Sequence, residues 1–142
     1  MKKKFFLIKI FIIFLFLIPS GISKESNSFD KGVELFQKKQ FEKSKVFFER
    51  DIVFNPKNEK SYLYLAKIFR ENKKEEEEEV NLNNVLLINP KNDEAIYMLT
   101  LLKIKQSNYD RAKELIEQFD LVCKSFCSKK KEIQDKFKKL TP

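Results

Sequence analysis

The feature that most constrains this chain is the tetrapeptide Asn-Pro-Lys-Asn, which occurs at residues 55–58 and again at residues 89–92. The two prolines, Pro56 and Pro90, are 34 residues apart. A proline pushes the residue before it out of the helical region, so each copy marks the end of a helix. Two copies at this spacing predict a structural unit of constant length that repeats along the chain.

The segments before, between and after these tetrapeptides have the apolar spacing of helices. The chain has only two glycines, Gly21 and Gly32, so a β-protein rich in tight turns lacks its turn residues. Apolar residues instead recur at three- and four-residue spacing in three pairs of segments, joined by the polar stretches "QKKQ", "ENKK" and "QSNYD". The pattern predicts three helical hairpins, with Glu59 and Asp93 opening the second and third near the positive end of a helix dipole.

Stacking of these hairpins is expected because a lone helix pair cannot bury both of its apolar stripes. The sequence therefore predicts an all-α solenoid of about three helix-turn-helix repeats. After them, Ile133, Phe137 and Leu140 share one face of a lysine-rich segment, which fits a terminal capping helix and also fits a helix on a membrane surface. The predicted bounds are about 26–58, 59–92 and 93–124 for the repeats and 128–141 for the capping helix.

The second unit carries the fullest set of characteristic positions, which are Tyr62, Leu65, Ala66, Phe69, Leu82 and Pro90. With the 34-residue period, they make residues 26–124 resemble the tetratricopeptide repeat family. The matching residues of the other two units are Gly32, Phe41, Ser44, Phe48, Pro56, Tyr109, Ala112 and Ile116. The chain departs from the family pattern at Lys31, Glu78 and Lys103. Because Glu78 falls at a helix–helix contact, it predicts a looser second unit or a shifted register.

The resemblance also implies where a partner binds, because the first helix of each unit lines the concave surface in this family. We call the implied partner-binding positions the inner strip: Phe29, Val33, Phe36, Leu63, Lys67, Arg70, Tyr97, Leu101, Ile104 and Lys105. The strip is apolar at both ends and cationic in the middle, which suits an extended or helical peptide with hydrophobic anchors flanking acidic residues. The alternative is that Phe29, Val33 and Leu101 complete the core, with the groove filled by the N-terminal tail or the C-terminal helix.

The N-terminus is patterned for export. A basic start at residues 2–4 precedes the 14-residue stretch from Phe5 to Ile18, which is apolar except for Lys9 and is shorter than the roughly 20 residues of a spanning helix. Small residues near Ser23 predict a signal peptide, residues 1–23, cleaved to leave residues 24–142. An exported protein of the periplasm or the exterior is therefore expected. The alternative is an uncleaved membrane anchor.

Catalysis has little support in the sequence. The chain contains no histidine, and its two glycines cannot build a phosphate-binding loop. Five successive glutamates, Glu75 to Glu79, fall at a predicted helix start, where their negative charges interact favourably with the positive end of the helix dipole. Successive side chains on a helix point in different directions, so they cannot converge on one ion. We therefore predict no enzyme activity, no cofactor and no metal site.

Two other features bear on partners. Cys123 and Cys127 could form a disulfide in an oxidising compartment or stay as two reduced thiols, and both possibilities remain open. Residues 124–142 are basic, but they contain no arginine, and the lysines lack interleaved aromatic platforms for stacking bases, so we predict no nucleic-acid binding. Peripheral contact with anionic lipids remains possible.

These observations predict a non-catalytic scaffold or adaptor of the cell envelope that binds a protein or peptide segment. A second hypothesis is a membrane-surface structural component, held by an uncleaved N-terminal anchor and the basic C-terminal helix. The identity of the partner does not follow from the sequence.

Overall fold

The computed structural model describes residues 28–140, which form seven α-helices and one short 3-10 turn, with no β-strand in that range. The predicted signal segment, residues 1–23, lies outside the described residues. The helices are α1 (Ser28–Gln37), α2 (Phe41–Phe54), α3 (Glu59–Glu71), α4 (Glu75–Ile88), α5 (Asp93–Lys105), α6 (Tyr109–Val122) and α7 (Lys130–Leu140), with the 3-10 turn at Cys127–Lys129. Helices α1 to α6 form three stacked hairpins and α7 closes the end. The predicted all-α solenoid with a capping helix is confirmed.

The two Asn-Pro-Lys-Asn tetrapeptides are the junctions between hairpins. The first asparagine of each copy ends a helix: the backbone N–H groups of Asn55 and Asn89 donate to the carbonyls four residues earlier, at 2.7 and 2.8 Å. The last asparagine begins the next helix, because the side chains of Asn58 and Asn92 accept a backbone N–H from its first turn. The repeated tetrapeptide thus combines a helix stop with a helix start.

The turns inside the three hairpins also share one backbone shape. Lys39, Lys73 and Ser107, again 34 residues apart, have φ values of 57°, 58° and 58°, in the left-handed region. In each turn the N–H of the next residue donates to the carbonyl five residues before it at 2.9 Å, which closes the first helix in a Schellman motif. The turns lie within the predicted polar joints.

The first repeat is joined to the second by aromatic side chains. The ring of Tyr64, on α3, stacks on Phe48 with centroids 4.9 Å apart, and it meets the rings of Phe36 and Phe29 edge-on at 5.0 and 5.9 Å. Such pairs stabilise beyond their buried area by about 0.5–1.5 kcal/mol each. A separate, larger core joins the second repeat, the third repeat and α7.

Gly32 is buried in α1 directly against the ring of Phe48. A Cβ atom at this position would lie 2.7 Å from Cε1 of that ring. Because Tyr64 stacks on the ring, Phe48 has little room to move. We expect Gly32→Ala to lower the free energy of unfolding by about 1–2 kcal/mol through overpacking, even though alanine is the better helix former by about 1 kcal/mol.

Urea unfolding followed by circular dichroism measures this effect. Gln37→Ala, at an exposed position of the same helix, is the control and should change the free energy of unfolding by less than about 0.5 kcal/mol. Adding Phe48→Leu to Gly32→Ala should cost less than the two single changes together. A stabilised Gly32→Ala variant would mean that the ring yields and that the close contact does not constrain residue 32.

Helix α7 caps the third repeat. Ile133 is fully buried in the larger core, and the ring of Phe137 meets the ring of Tyr109 edge-on at 6.3 Å. The hydroxyl of Tyr97 donates to the Glu132 carboxylate at 3.0 Å. Lysine ammonium groups one turn to either side, with this hydroxyl, hold the pKa of Glu132 at about 2. Ile133 and Phe137 of the apolar stripe therefore face protein, whereas Leu140, at the end of α7, is exposed.

The link between α6 and α7 is fastened by Asp93. One oxygen of its carboxylate accepts three backbone N–H groups from segment 124–126, at 2.7 to 2.9 Å. Burial opposes ionisation of Asp93, but these donors outweigh it and hold the pKa of the carboxyl below its usual value. A disulfide between Cys123 and Cys127, with Cα atoms 5.2 Å apart, encloses the same segment just beyond the end of α6. The link is thus tied to the start of α5.

Candidate functional site

The first-repeat part of the inner strip is half-buried. Phe29, Val33 and Phe36 pack against the smaller core between the first two repeats. Tyr64, which is not a member of the inner strip, covers Phe29 and Phe36 from the second repeat. A ligand here would meet a mixed aromatic surface made by two repeats.

Three other members of the strip are buried in the structure. Leu63 and Tyr97 belong to the larger core, and Ile104 is also largely inaccessible. The ring of Tyr97 is covered by Phe126 at 5.8 Å, from the link that leads to the cap. These three positions support the inner surface from beneath and expose little area to a partner.

The cationic middle of the strip is matched by carboxylates. The two cations there, and Lys105 at the third-repeat end of the strip, each lie within 3 Å of a glutamate oxygen. The pairs are Lys67–Glu94 at 2.7 Å, Arg70–Glu78 at 2.8 Å and Lys105–Glu75 at 2.7 Å. The sequence suggested a row of positive charge, whereas the structure has a row of ion pairs. The positive charge of these three residues is therefore already balanced by carboxylates, and that charge alone cannot attract a ligand.

A cleft of about 250 Å³ lies among these pairs, between α3, α4 and α5. Its lining residues are Arg70, Lys73, Glu75, Glu78, Leu101, Leu102 and Lys105. Leu101 is half-buried and supplies apolar surface, while Lys73 and Lys105 are exposed at the rim. Three inner-strip residues meet here, Arg70, Leu101 and Lys105. Most of the other lining residues were missed because they come from the hairpin turn and from α4, which the strip omits, while Leu102 follows Leu101 on α5.

Glu78 is the most buried charged group in this cleft, with 4% of its surface exposed. Burial raises the pKa of Glu78 above its usual value, against the opposing effect of the Arg70 guanidinium. Arg70 also donates to the carbonyl of Met98 on α5 at 3.1 Å. The ion pair accommodates Glu78 with α4 unbroken from Glu75 to Ile88. The sequence predicted a looser second unit or a shifted register, because it did not show that Arg70 would pair with Glu78.

The run of glutamates contacts the next repeat. Lys103, buried where the family pattern expects an aromatic residue, pairs with Glu79 at 2.5 Å. The hydrogen bond from Lys103 lowers the pKa of Glu79. With the pairs made by Glu75 and Glu78, three of the five glutamates bind a cation from α3 or α5. The run thus helps fix the second repeat to the third.

Neither a spanning helix nor a metal cluster is found in the described part of the chain. No helix between residues 28 and 140 is long and apolar enough to cross a membrane. Over the same residues, no group of three or more cysteine, aspartate or glutamate side chains is placed to hold a metal ion.

Comparison with known proteins identifies the fold. No protein-family model matches the sequence, and no curated protein matches it. Solved structures do match: the tetratricopeptide repeat domain of Arabidopsis OM64 has a TM-score of 0.73 at 20% identity, covering 81% of this chain and 94% of that one. The Sgt2 tetratricopeptide repeat domain of Aspergillus fumigatus has a TM-score of 0.68 at 15% identity, covering 82% and 81%.

A chain of the CopN-Scc3 complex is also similar, with a TM-score of 0.69 at 17% identity over 80% of this chain and 70% of that one. The structure therefore has the fold of tetratricopeptide repeat domains, as the sequence predicted.

Proposed function

We propose that this protein is a non-catalytic adaptor of the cell envelope that binds a protein or peptide segment along the inner strip. The observation that carries the proposal is the cleft around Leu101, where an apolar side chain lies between ion pairs at the junction of two repeats. The similar structure from the CopN-Scc3 complex supports a role of this fold in protein assembly. The buried inner-strip residues would keep the surface rigid beneath the ligand.

The ligand that best fits the cleft is a peptide with an apolar anchor beside an acidic residue. Its apolar side chain would cover Leu101, and its carboxylate would compete with Glu75 for Lys105. The Lys105–Glu75 pair is exposed, and such pairs contribute at most about 1 kcal/mol, so exchanging one acid for another costs little. The Arg70–Glu78 pair is much more buried and would stay intact.

Non-catalytic action is proposed because the site lacks an activated group. The chain has no histidine, and the carboxylates and Arg70 in the cleft already form ion pairs with each other or with lysine.

Location in the envelope rests on the N-terminal pattern alone. Sequencing the N-terminus of the mature protein should give a start near Lys24. Washing the envelope with salt should release the protein.

Photocrosslinking in intact cells tests the binding site. A photoreactive residue at Leu101 should form a discrete adduct, identifiable by mass spectrometry, whereas one at Asn83 on an exposed face of α4 should not. Reversing the rim charge with Lys105→Glu should reduce the Leu101 adduct several-fold. Lys113→Glu, which reverses an exposed charge on α6, is the matched control and should leave it unchanged.

Equal adducts from positions 101 and 83, or none from either, would contradict the groove-binding proposal. Retention of the Leu101 adduct in Lys105→Glu would contradict only the acidic nature of the ligand. Lys105 is exposed, so loss of the fold is not expected in that variant, and circular dichroism checks it.

A further inference from the structure

Each outer helix, the second helix of a hairpin, has a highly exposed apolar side chain at its next-to-last position. Val53, Leu87 and Leu121 lie 34 residues apart and are 73%, 81% and 86% exposed, the highest values for large apolar side chains between residues 28 and 140. Single exposed apolar residues are ordinary, but one at the same position of every repeat forms a row on one edge of the solenoid. Core packing does not account for this row.

A lysine follows each member of the row. Lys57, Lys91 and Lys124 lie three or four residues later, in the segments after the outer helices, and all three are exposed. We call these three apolar and three basic side chains the helix-end edge. Each repeat contributes one apolar and one cationic group to it.

Carboxylates near this edge are largely engaged inside the protein. Asp51 and Glu59 accept hydrogen bonds from the asparagines of the junctions, Asp93 accepts the three N–H groups of segment 124–126, and Asp120 pairs with a lysine of α7 at 3.1 Å. Asp30, at the start of α1, is exposed at the same end of the first hairpin. These carboxylates keep their negative charge, but Asp51 is buried and Asp93 and Glu59 are partly buried in contacts within the protein. The side chains that project furthest from the edge are therefore mainly its lysines.

We propose that the helix-end edge docks on an anionic lipid surface, with the ends of the outer helices directed toward the headgroups. Lysine stems can lie along apolar surface while their ammonium groups bind phosphates, and apolar side chains beside them enter the interface. Leu87 and Leu121 project singly, whereas Val53 is followed by the exposed Phe54, which lines a pocket together with Lys57. A fluid lipid interface accepts such isolated side chains, whereas a protein partner would have to supply a complementary pocket for each.

The direction of docking follows from the charges on the outer helices. One turn before the row lie Glu49 and Glu117, and both are exposed. Val46 and Val80 are exposed two turns before it, about 10 Å along the helix axis. Lipid phosphates would repel the glutamates if the whole outer face lay flat on the membrane. Contact through the helix ends avoids this repulsion.

This surface is separate from the cleft around Leu101, so the inference goes beyond the proposed adaptor function. Lipid contact would set the orientation of the scaffold and leave the inner strip accessible. The C-terminal helix extends the same basic region, because the Lys130–Asp120 pair holds the start of α7 beside the last turn of α6.

Site-specific fluorescence in the full chain tests the proposal. An environment-sensitive fluorescent residue replaces Leu87, or in a second protein Val80, and each is mixed with phosphatidylcholine vesicles with and without phosphatidylglycerol. We expect a blue shift at position 87 on vesicles containing phosphatidylglycerol and little change at position 80. Both proteins carry the same N-terminal segment, so membrane binding by that segment cannot produce the difference.

A charge variant with a matched control tests the lysines. Each lysine near an anionic surface strengthens binding about fivefold, so Lys57→Gln with Lys91→Gln should weaken the contact at position 87 roughly twentyfold, and the blue shift should be lost. Lys39→Gln with Lys73→Gln removes the same charge, at the same spacing, from the opposite edge. These exposed lysines lie in the hairpin turns, and this variant should keep the shift.

Several results would overturn the proposal. An equal shift at positions 80 and 87 would place the whole outer face on the membrane, and an equal shift without phosphatidylglycerol would remove the role of charge. A concentration-dependent shift at position 87 without vesicles would mean that a second copy of the chain covers the row. No shift under any condition would rule out lipid contact. None of these results affects crosslinking at Leu101, so the two proposals fail separately.

Discussion

Replacing Arg70 with leucine will lower the free energy of unfolding by about 3 kcal/mol at neutral pH, because it leaves the Glu78 carboxylate buried without its partner. Glu78 lies 2.8 Å from Arg70 and is almost completely inaccessible. Breaking a fully buried pair costs about 3–5 kcal/mol. The lower end applies here because a third of the Arg70 side chain is exposed.

The loss should depend on pH in a defined direction. Burial raises the pKa of Glu78 in the folded protein, so the folded state binds the proton more tightly than the unfolded state does. The stability contributed by protonated Glu78 is complete below its usual pKa of 4.5 and is lost as pH rises through the higher folded-state value. Without Arg70 this pKa rises further. The difference between Arg70→Leu and the parent should therefore shrink as pH falls toward 4.5.

Denaturant unfolding at a series of pH values measures this difference. Lys105→Leu is the control, since it breaks the exposed Lys105–Glu75 pair of the same cleft and should cost less than about 1 kcal/mol. In the double variant Arg70→Leu with Glu78→Leu, most of the lost stability should return, because apolar residues can replace a buried ion pair. A cost for Arg70→Leu that is small and independent of pH would show that water reaches Glu78.

Asp51→Val is expected to lower the free energy of unfolding by about 2–4 kcal/mol, because its buried carboxylate satisfies donors that would be left without an acceptor. Asp51 accepts hydrogen bonds from the side chains of Asn55, Asn58 and Ser61, at 3.1, 2.6 and 2.5 Å. Ser61 is fully buried, so water cannot replace the lost bond. Thermal or urea unfolding gives the size of the effect.

The second junction shows which substitutions could compensate for the loss of the Asp51 carboxylate. The positions 34 residues after Asp51 and Ser61 are Val85 and Ala95, both fully buried, so the second junction is apolar where the first is polar. Asp51→Val with Ser61→Ala gives the first junction the residues of the second and should recover much of the stability lost in Asp51→Val. Glu49→Val, at an exposed position of α2, is the control and should be nearly neutral. A double variant less stable than Asp51→Val would show that the two junctions pack differently.

The fold could be predicted from the sequence because it depends on features that recur. The 34-residue spacing of Asn-Pro-Lys-Asn placed the junctions, and the polar joints placed the turns inside the hairpins. Both depend on local backbone preferences, which neighbouring residues determine. The capping role of α7 was predicted from its apolar stripe, which a membrane surface could also have covered, and the burial of Ile133 against the last repeat decides between the two.

The chemistry of the inner surface could be predicted only in part. Leu101 and Lys105 do line a cleft, but the carboxylate partners of Lys67, Arg70 and Lys105 come from other helices. An ion pair between residues 67 and 94 has no local signature, because its geometry depends on how one repeat stacks on the next. For the same reason, the sequence did not show that Tyr64 would cover the first repeat.

The three left-handed turns mean that this fold is held below its attainable stability. Lys39, Lys73 and Ser107 adopt a backbone shape that glycine takes without strain. A side chain in that shape costs roughly 1 kcal/mol, partly offset because glycine is more disordered when unfolded. Across three turns the reserve is roughly 1–2 kcal/mol, a sizeable share of the 5–15 kcal/mol typical of a domain. Thermal tolerance could thus increase through changes at the turns alone, and the turns at Lys39 and Ser107 lie outside the cleft, whereas Lys73 is at its rim.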